Sequence, residues 1–499
     1  MLLGIDVGTT CVKAAIFSPD GVIKSEASEE YGIDQPRPGW AEQDGERVFT
    51  LMCEVIRRAA AQHGQAVKAL SLSVQGDAVT AVDGHMRPLL PFQLGMDYRC
   101  SPQAEAYAEE FGALPLFQKT GMRPHPINTL CKIRWITENR QDVARSATRY
   151  MTYSDFLLCR LGAREPVIDL TMASRTMALP LNTSDWDGEL LRAAGIGPDQ
   201  LSRPVPSGTA VGELTGELAN ELGLPRGVLL VAGGHDQALA ALGAGLSAPG
   251  LALDSHGTAE VISTVLNSPQ TGSGMFQGFF PCYAHAVPGR FLTFSLNHTA
   301  GILLKWYTEG FCAADEAPAH RANESLYGYV LSHSADVPSS VLVLPYFAGK
   351  GTPDCDLNAK GLIAGLTLST TRHTIARGII EALAFDMREN LEALAGMGIP
   401  VAELRCVGGG ARSPVGLQIK ADVTGLPVHT LRVREAACFG AAMLAGVAVN
   451  GWSTLEEAAS LVRLDRTYLP NPNAHEYYTK RYEAYRALYR VNRELLAQI

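Results

Sequence analysis

Asp236 stands in "VLLVAGGHDQALAALGAG" (228–245), after a glycine pair and before an alanine-rich helical pattern. Aspartate is among the best helix N-caps, and that role alone accounts for it. A carboxylate so placed also suits a general base, which takes the proton of a substrate hydroxyl as a phosphoryl group arrives. A second carboxylate, Asp6, ends an apolar strand pattern in "GIDVGTTCVK" (4–13). Buried without a partner it is costly, so it calls for a cation, a metal or hydrogen-bond donors. Gly8, Thr9 and Thr10 follow it in a tight turn whose backbone N–H groups and hydroxyls suit phosphate oxygens. Lys13 adds positive charge on the next strand. The plainer alternative is a hairpin turn closed by an Asp6–Lys13 salt bridge.

"DSHGTAE" (254–260) offers a second glycine–threonine turn, Gly257 and Thr258, able to grip phosphates from the opposite side. Neither turn is a Walker loop or a GxGxxG motif. In "GGGARS" (408–413), Gly409, Gly410 and Ala411 let a flat group lie against backbone, with Ser413 placed to cap the following helix. Gln75, Asp77 and Asp97 come at the ends of strand patterns in "SVQGDAV" and "LGMDYR", and such groups suit the several hydroxyls of a sugar or polyol. Each is equally an ordinary turn residue. His235, beside Asp236, is expected to be structural.

These residues need a scaffold that presents them together. The opening reads as strand, Gly-Thr turn, strand, Asp-Gly turn and third strand, the Asp-Gly pair being a strong hairpin signal. "RVFTLMCEVIRRAAA" has the apolar spacing of an amphipathic helix, and "VKALSLSV" returns to strand. Hairpins followed by strand–helix alternation predict an α/β domain with a mixed sheet. "LALDSHGTAEVISTVL" (251–266) echoes "LLGIDVGTTCVKAAIF" (2–17), which predicts two related domains facing one cleft, joined near "GAGLSAPG". Tyr478, Tyr482, Tyr485 and Tyr489 recur at helical spacing near the C-terminus and are expected to be a packing stripe.

Composition narrows the function. A chain of 499 residues is too long for one core, so two large domains are expected. A net charge of −9 argues against a nucleic-acid or acidic-membrane binder. The ten cysteines form no CxxC pair, which predicts reduced thiols and no zinc or iron–sulfur site. No secretion signal or apolar run of membrane-span length is found, so a cytoplasmic protein is expected.

The motifs together resemble the FGGY carbohydrate kinases of the actin and sugar-kinase superfamily. "GIDVGTTCVKAAIF" is similar to the family's first phosphate motif and "GWAEQD" to its tryptophan loop. "NTLCKIRWITEN" resembles the first family signature, though Ile127 departs from it. "GLIAGLTLSTTRHTIARGIIE" resembles the second, with Thr374 and Gly378 departing. In "PYFAGKGTP" the usual Glu-Arg pair is replaced, and "GGGARSPVGLQIKADVTGLPV" resembles the adenosine motif. The resemblance implies an α/β fold of two actin-like (ribonuclease H-like) domains with mixed sheets flanking a central cleft, spanning 1–246 and 247–499. It implies ATP and Mg2+ as cofactors and Asp236 as catalytic base. Asp6, Gly8, Thr9, Thr10 and Lys13 would face the phosphates and Mg2+, with Asp6 anchoring the metal. Gly257 and Thr258 would lie opposite, and Gly409, Gly410, Ala411 and Ser413 would hold adenosine.

Substrate choice rests on fewer residues. Asp77 falls where xylulokinases carry a histidine, and Gln-Gly-Asp is more like kinases of erythritol and related polyols. Asp97 and Arg99 keep the family's Asp-x-Arg without its tryptophan, and the Arg-Glu pair of glycerol kinases is missing. A ketopentose such as xylulose is expected, with erythritol or another polyol as alternative. Gln75, Asp77, Asp97 and Asp236 would contact it. An actin-like or chaperone-like ATPase without sugar phosphorylation is the rival of another class, and a weakly catalytic sugar-responsive regulator a third. A homodimer stays open as an assembly.

Overall fold

The computed structural model describes residues 1–334 and 337–498. The first sheet is built from β1 (Leu2–Val7), β2 (Cys11–Phe17), β3 (Ile23–Glu30), β4 (Ala69–Val74), β5 (Ala210–Glu213) and β6 (Leu229–His235), in the order β5-β6-β4-β1-β2-β3. The hairpin strands β1, β2 and β3 run antiparallel, β1, β4 and β6 run parallel, and β5 is an antiparallel edge. Helix α1 (Gly45–His63) packs Val48, Met52, Val55, Ile56 and Ala59 into the core under this sheet. Asp44 caps it by accepting from the N–H groups of Glu46 and Arg47.

The second sheet repeats this plan. Its strands β7 (Leu251–His256), β8 (Glu260–Leu266), β9 (Tyr283–Ala284), β10 (Phe291–Asn297), β11 (Glu403–Gly408), β12 (Val428–Leu431) and β13 (Leu464–Tyr468) lie in the order β9-β10-β8-β7-β11-β12-β13. Again two antiparallel pairings precede two parallel ones, and an antiparallel edge closes the sheet. The echo seen in one hairpin therefore extends to whole sheets, with β9 added.

Parallel strands end on one edge, where open α/β sheets place their ligand sites. Asp6 and Ser73 are register partners on β1 and β4, and Val74 pairs with His235 on β6. In the second sheet His256 pairs with Gly408, which sets the Gly257–Thr258 turn beside the triple glycine. Topology thus gathers residues far apart in sequence.

Two helices cross between the sheets. Helix α2 (Asp236–Gly243) follows β6, and α3 (Ala436–Ala448) follows β12. They touch backbone to backbone: a Cβ on Gly440 would lie 2.0 Å from the Leu239 carbonyl oxygen, and one on Gly243 1.9 Å from that of Ala436. Gly4 of β1 meets the Cys438 carbonyl in the same way. Helix α3 therefore packs on the first sheet, and one core cluster joins Leu2, Phe17 and Val231 to Phe439, Met443 and Leu444. The long helices Arg372–Gly396 and Pro472–Leu496 cover the second half, and the four tyrosines of the stripe are buried there, Tyr478, Tyr482 and Tyr485 around Phe385 and Tyr489 against Tyr346. Among the described residues, no helix is long and apolar enough to cross a membrane.

Candidate active site

Asp236 begins α2 as its first helical residue, and His235 occupies the cap position without a side-chain capping bond. This corrects the N-cap expectation by one residue. Asp236 Oδ1 accepts the Gln237 N–H at 2.7 Å and lies 3.2 Å from His235 Nε2, while 29% of the side chain stays open. Burial raises its pKa to about 7; the Asp6 charge adds to the rise, and the Gln237 N–H and Arg175 oppose it. Burial likewise raises Asp6 to about 6, against the lowering effect of a 2.6 Å bond from Ser73 and of Lys13. His235 is buried and desolvation holds its pKa well below the usual value, so it is a neutral neighbour and no ion-pair partner.

The Asp6–Lys13 salt bridge considered from sequence does not form. Lys13 Nζ reaches across the cleft floor to Glu435 Oε2, 2.7 Å away at the start of α3. The first turn is braced from below instead. Gln75 Nε2 bonds Gln43 Oε1 at 2.9 Å and reaches the Gly8 carbonyl at 3.4 Å; Gln43 Nε2 bonds the Thr9 carbonyl at 2.6 Å. The Tyr31 hydroxyl also donates to Gly8 O. Thr10 is exposed at the tip.

The second turn rests on a buried ionic cluster that sequence reasoning missed. Lys420 Nζ lies between Asp254 Oδ2 and Glu260 Oε1, the latter at 2.7 Å, with His256 Nδ1 at 3.1 Å. Asp254, His256 and Glu260 are grouped closely enough to ligate a metal, and the Lys420 ammonium takes the cation's place among them. Burial alone would lower the Lys420 pKa, but the two carboxylates raise it overall. The signal was present as a lone lysine on the apolar face of helix 414–424. Above the cluster Gly257 and Thr258 are exposed, and their carbonyls accept from Gly301, Ala300 and Ile302 at the start of helix Gly301–Phe311.

Gly408 adopts φ +83°, and a Cβ on Gly410 would lie 2.3 Å from the His256 ring, so these two glycines are required by their contact with the second turn, while Gly409 is an ordinary right-handed residue with space for a Cβ. Ser413 caps helix 414–424 through the Gly416 N–H, as expected. A cavity of about 420 Å³ is lined by Lys13, Gly408, Gly409, Ala411, Arg412 and Glu435 among others. Another, of about 560 Å³, is lined by Gly257, Thr258, Gly301, Ser325 and Tyr327 among others.

The residues expected to face a sugar divide. Asp97 is fully enclosed: Oδ1 accepts from Arg99 N and Nε, and Oδ2 from Arg99 Nη2 and Ala41 N. Arg99 also pairs with Glu42 and lies 3.5 Å from the Trp40 ring centroid. Asp97 is thus an anchor for the "GWAEQD" loop, with no oxygen left free. Gln75 is engaged through its Nε2, which donates to Gln43 Oε1 and the Gly8 carbonyl. Asp77 differs. It adopts φ +66°, rare for a residue with a side chain, and its Oδ1 has no hydrogen-bond partner among the described residues. Its Oδ2 accepts from Arg175 Nη2 at 2.5 Å, a partner that sequence reasoning missed.

Both halves of the chain match one family. Residues 1–243 match the N-terminal domain of the FGGY family of carbohydrate kinases, and residues 253–449 match its C-terminal domain. The chain belongs to the FGGY family of carbohydrate kinases. It is 30% identical to a gluconokinase of Bacillus subtilis (strain 168) over 96% of this chain and 93% of that protein. It is 31% identical to a glycerol kinase of Citrifermentans bemidjiense, over 94% of each. A crystal structure of a "xyloylose kinase" from Brucella ovis superposes with a TM-score of 0.89 at 27% identity, covering 99% of both chains. As an FGGY kinase it is a phosphotransferase that acts on a sugar hydroxyl, with the two-domain mixed-sheet fold of that family. The chaperone-like reading falls away.

Proposed function

We propose that this FGGY kinase transfers the γ-phosphoryl group of ATP to a hydroxyl of a small neutral sugar, a ketopentose such as xylulose or a four- to five-carbon polyol such as erythritol. The observation that carries the reading is Asp236: a partly open carboxylate, rigidly held at the start of α2, with a pKa near neutrality, on the edge where Asp6 and the first Gly-Thr turn also lie. It takes the hydroxyl proton as the new O–P bond forms. The bond from the γ-phosphorus to the β,γ-bridging oxygen breaks, and its electron pair leaves with ADP.

The Asp6 charge raises the cost of ionising Asp236, and such an all-oxygen, doubly acidic set fits Mg2+. When bound with ATP, Mg2+ supplies charge neutralisation at the phosphates. The chain's own part is positional. Thr9, Thr10 and Thr258 supply N–H groups and hydroxyls to phosphate oxygens, while the N–H groups of Gly8 and Gly257 close their own turns on the Cys11 and Ala259 carbonyls, and Lys13 offers its ammonium from the Glu435 pair. Gly409, Gly410 and Ala411 form the adenosine platform, and Ser413 holds it through its cap. Division of the chain at 246/247 and a cytoplasmic location belong to the same proposal. The test is ADP release with ketopentoses and polyols; Asp236→Ala must lose sugar-dependent turnover while still binding nucleotide. Near-normal turnover by that variant overturns the assignment.

A further inference from the structure

Asp77 and Arg175 form a buried, constrained polar unit near the base. Four side chains hold it. Thr129 Oγ1 and Lys132 Nζ, from helix Thr129–Asn139, donate to the Asp77 carbonyl at 3.3 and 3.2 Å. Arg175, ending helix Leu170–Arg175, binds the Asp77 carboxylate. The guanidinium lies over Tyr283 and Phe294, 5.3 and 5.4 Å from their centroids, two residues from the second sheet. A Cβ on Gly76 would lie 2.6 Å from His235 Nε2 and 3.8 Å from Arg175 Nε, so the pair sits directly behind the base's neighbour. This left-handed aspartate is fixed at both its carbonyl and its carboxylate.

Both partners are about 3% exposed, yet each keeps an atom with no hydrogen-bond partner among the described residues: Oδ1 of Asp77 and Nε–H of Arg175. One is an acceptor and the other a donor. A hydroxyl donates to one and accepts from the other; a carboxylate only accepts, and meets the Asp77 charge. The surrounding charges agree. Asp6, Asp77 and Asp236 are the acids, and Arg175 is spent on Asp77. Lys132 turns its ammonium to the carbonyls of Asp77 and Ile127. His125 is held neutral by burial, with a pKa of about 4, and Arg123 donates to the Phe276 carbonyl.

We propose that the Asp77–Arg175 pair sets the charge of the accepted substrate, admitting neutral polyols and ketoses and rejecting the corresponding sugar acids. The proposal rests on the sugar-kinase reading above and decides among the substrate types its relatives' names span. Arg175 is a cation that would hold a sugar carboxylate; Asp77 cancels it.

The test compares kcat/KM by ADP release for matched pairs: erythritol with erythronate, ribitol with ribonate, glucitol with gluconate, and ketopentoses in the neutral arm. Wild-type enzyme should prefer the neutral arm by at least a hundredfold. In Asp77→Asn the acid-to-neutral ratio should rise at least tenfold, and Arg175→Gln added to it should cancel the rise. Because each ratio is taken within one preparation, it does not depend on the folded fraction, and where a variant fails to fold the wild-type comparison decides. Turnover of an acid at or above its matched polyol overturns this inference and leaves the kinase reading intact. Neutral preference with an unchanged ratio in Asp77→Asn overturns the assignment to this pair. No ADP release with any member overturns both.

Discussion

Asp236 is held where ionisation is disfavoured, and that cost is measurable in two ways. A base must be unprotonated to work, so kcat/KM should fall as pH drops below about 7, the value to which burial and Asp6 raise this group. Replacement by Asn keeps the oxygen that accepts the Gln237 N–H but cannot take a proton. Asp236→Asn should lower kcat by about 10²–10⁴-fold, with nucleotide affinity largely kept, read by steady-state kinetics and calorimetry. Stability should move the other way. An unfolded aspartate ionises near pH 4 and the folded one near 7, so the folded form loses stability relative to the unfolded one as pH rises between those values. Relief of that burden should raise the Tm of Asp236→Asn above wild type at pH 8, by about 2 °C or more, with the gap closing at pH 5. An unchanged or lower Tm at pH 8 would contradict the raised pKa.

At the level of elements, the second Gly-Thr turn stands on Lys420, and the two crossing helices stand on glycine. Lys420→Met leaves Asp254 and Glu260 buried side by side, a loss of about 3–5 kcal/mol. Thermal unfolding should show it, and the KM for ATP should rise more than the KM for the sugar, because the Gly257–Thr258 turn loses its floor. Gly440→Ala places a methyl group against the Leu239 carbonyl and should destabilise by about 1–3 kcal/mol, seen as a lower Tm with the two sheets' own helices unchanged. Hairpins, the amphipathic α1 and the tyrosine stripe were legible because local periodicity and turn chemistry decide them. The Lys420 cluster and the Lys13–Glu435 pair were not, since their partners lie 160 to 166 and 422 residues apart. The Asp236 position was off by one residue, because local composition cannot tell a cap from the first helical residue.

For the whole molecule, two sheets of matching topology present their strand ends to one cleft, and α2 and α3 join them with backbone contacts. Ligands that touch both halves should draw them together. A non-hydrolysable ATP analogue with Mg2+ and an accepted sugar should decrease the radius of gyration in solution scattering. The same pair should raise Tm by more than the sum of the separate shifts, since each ligand prepays closure for the other. Additive shifts would mean that the halves bind independently. The sequence alone determined the elements, the order of the motifs and hence the family, because turn residues and apolar spacing act over a few positions. Only the tertiary structure decided which carboxylates are open. Asp97 and the Gln75 Nε2 are engaged by neighbours, Asp77 is held in a left-handed turn by Arg175 and Lys132, and Asp236 keeps part of its side chain open. A side chain's freedom depends on what the fold packs beside it, and those partners come from distant strands brought to one sheet edge.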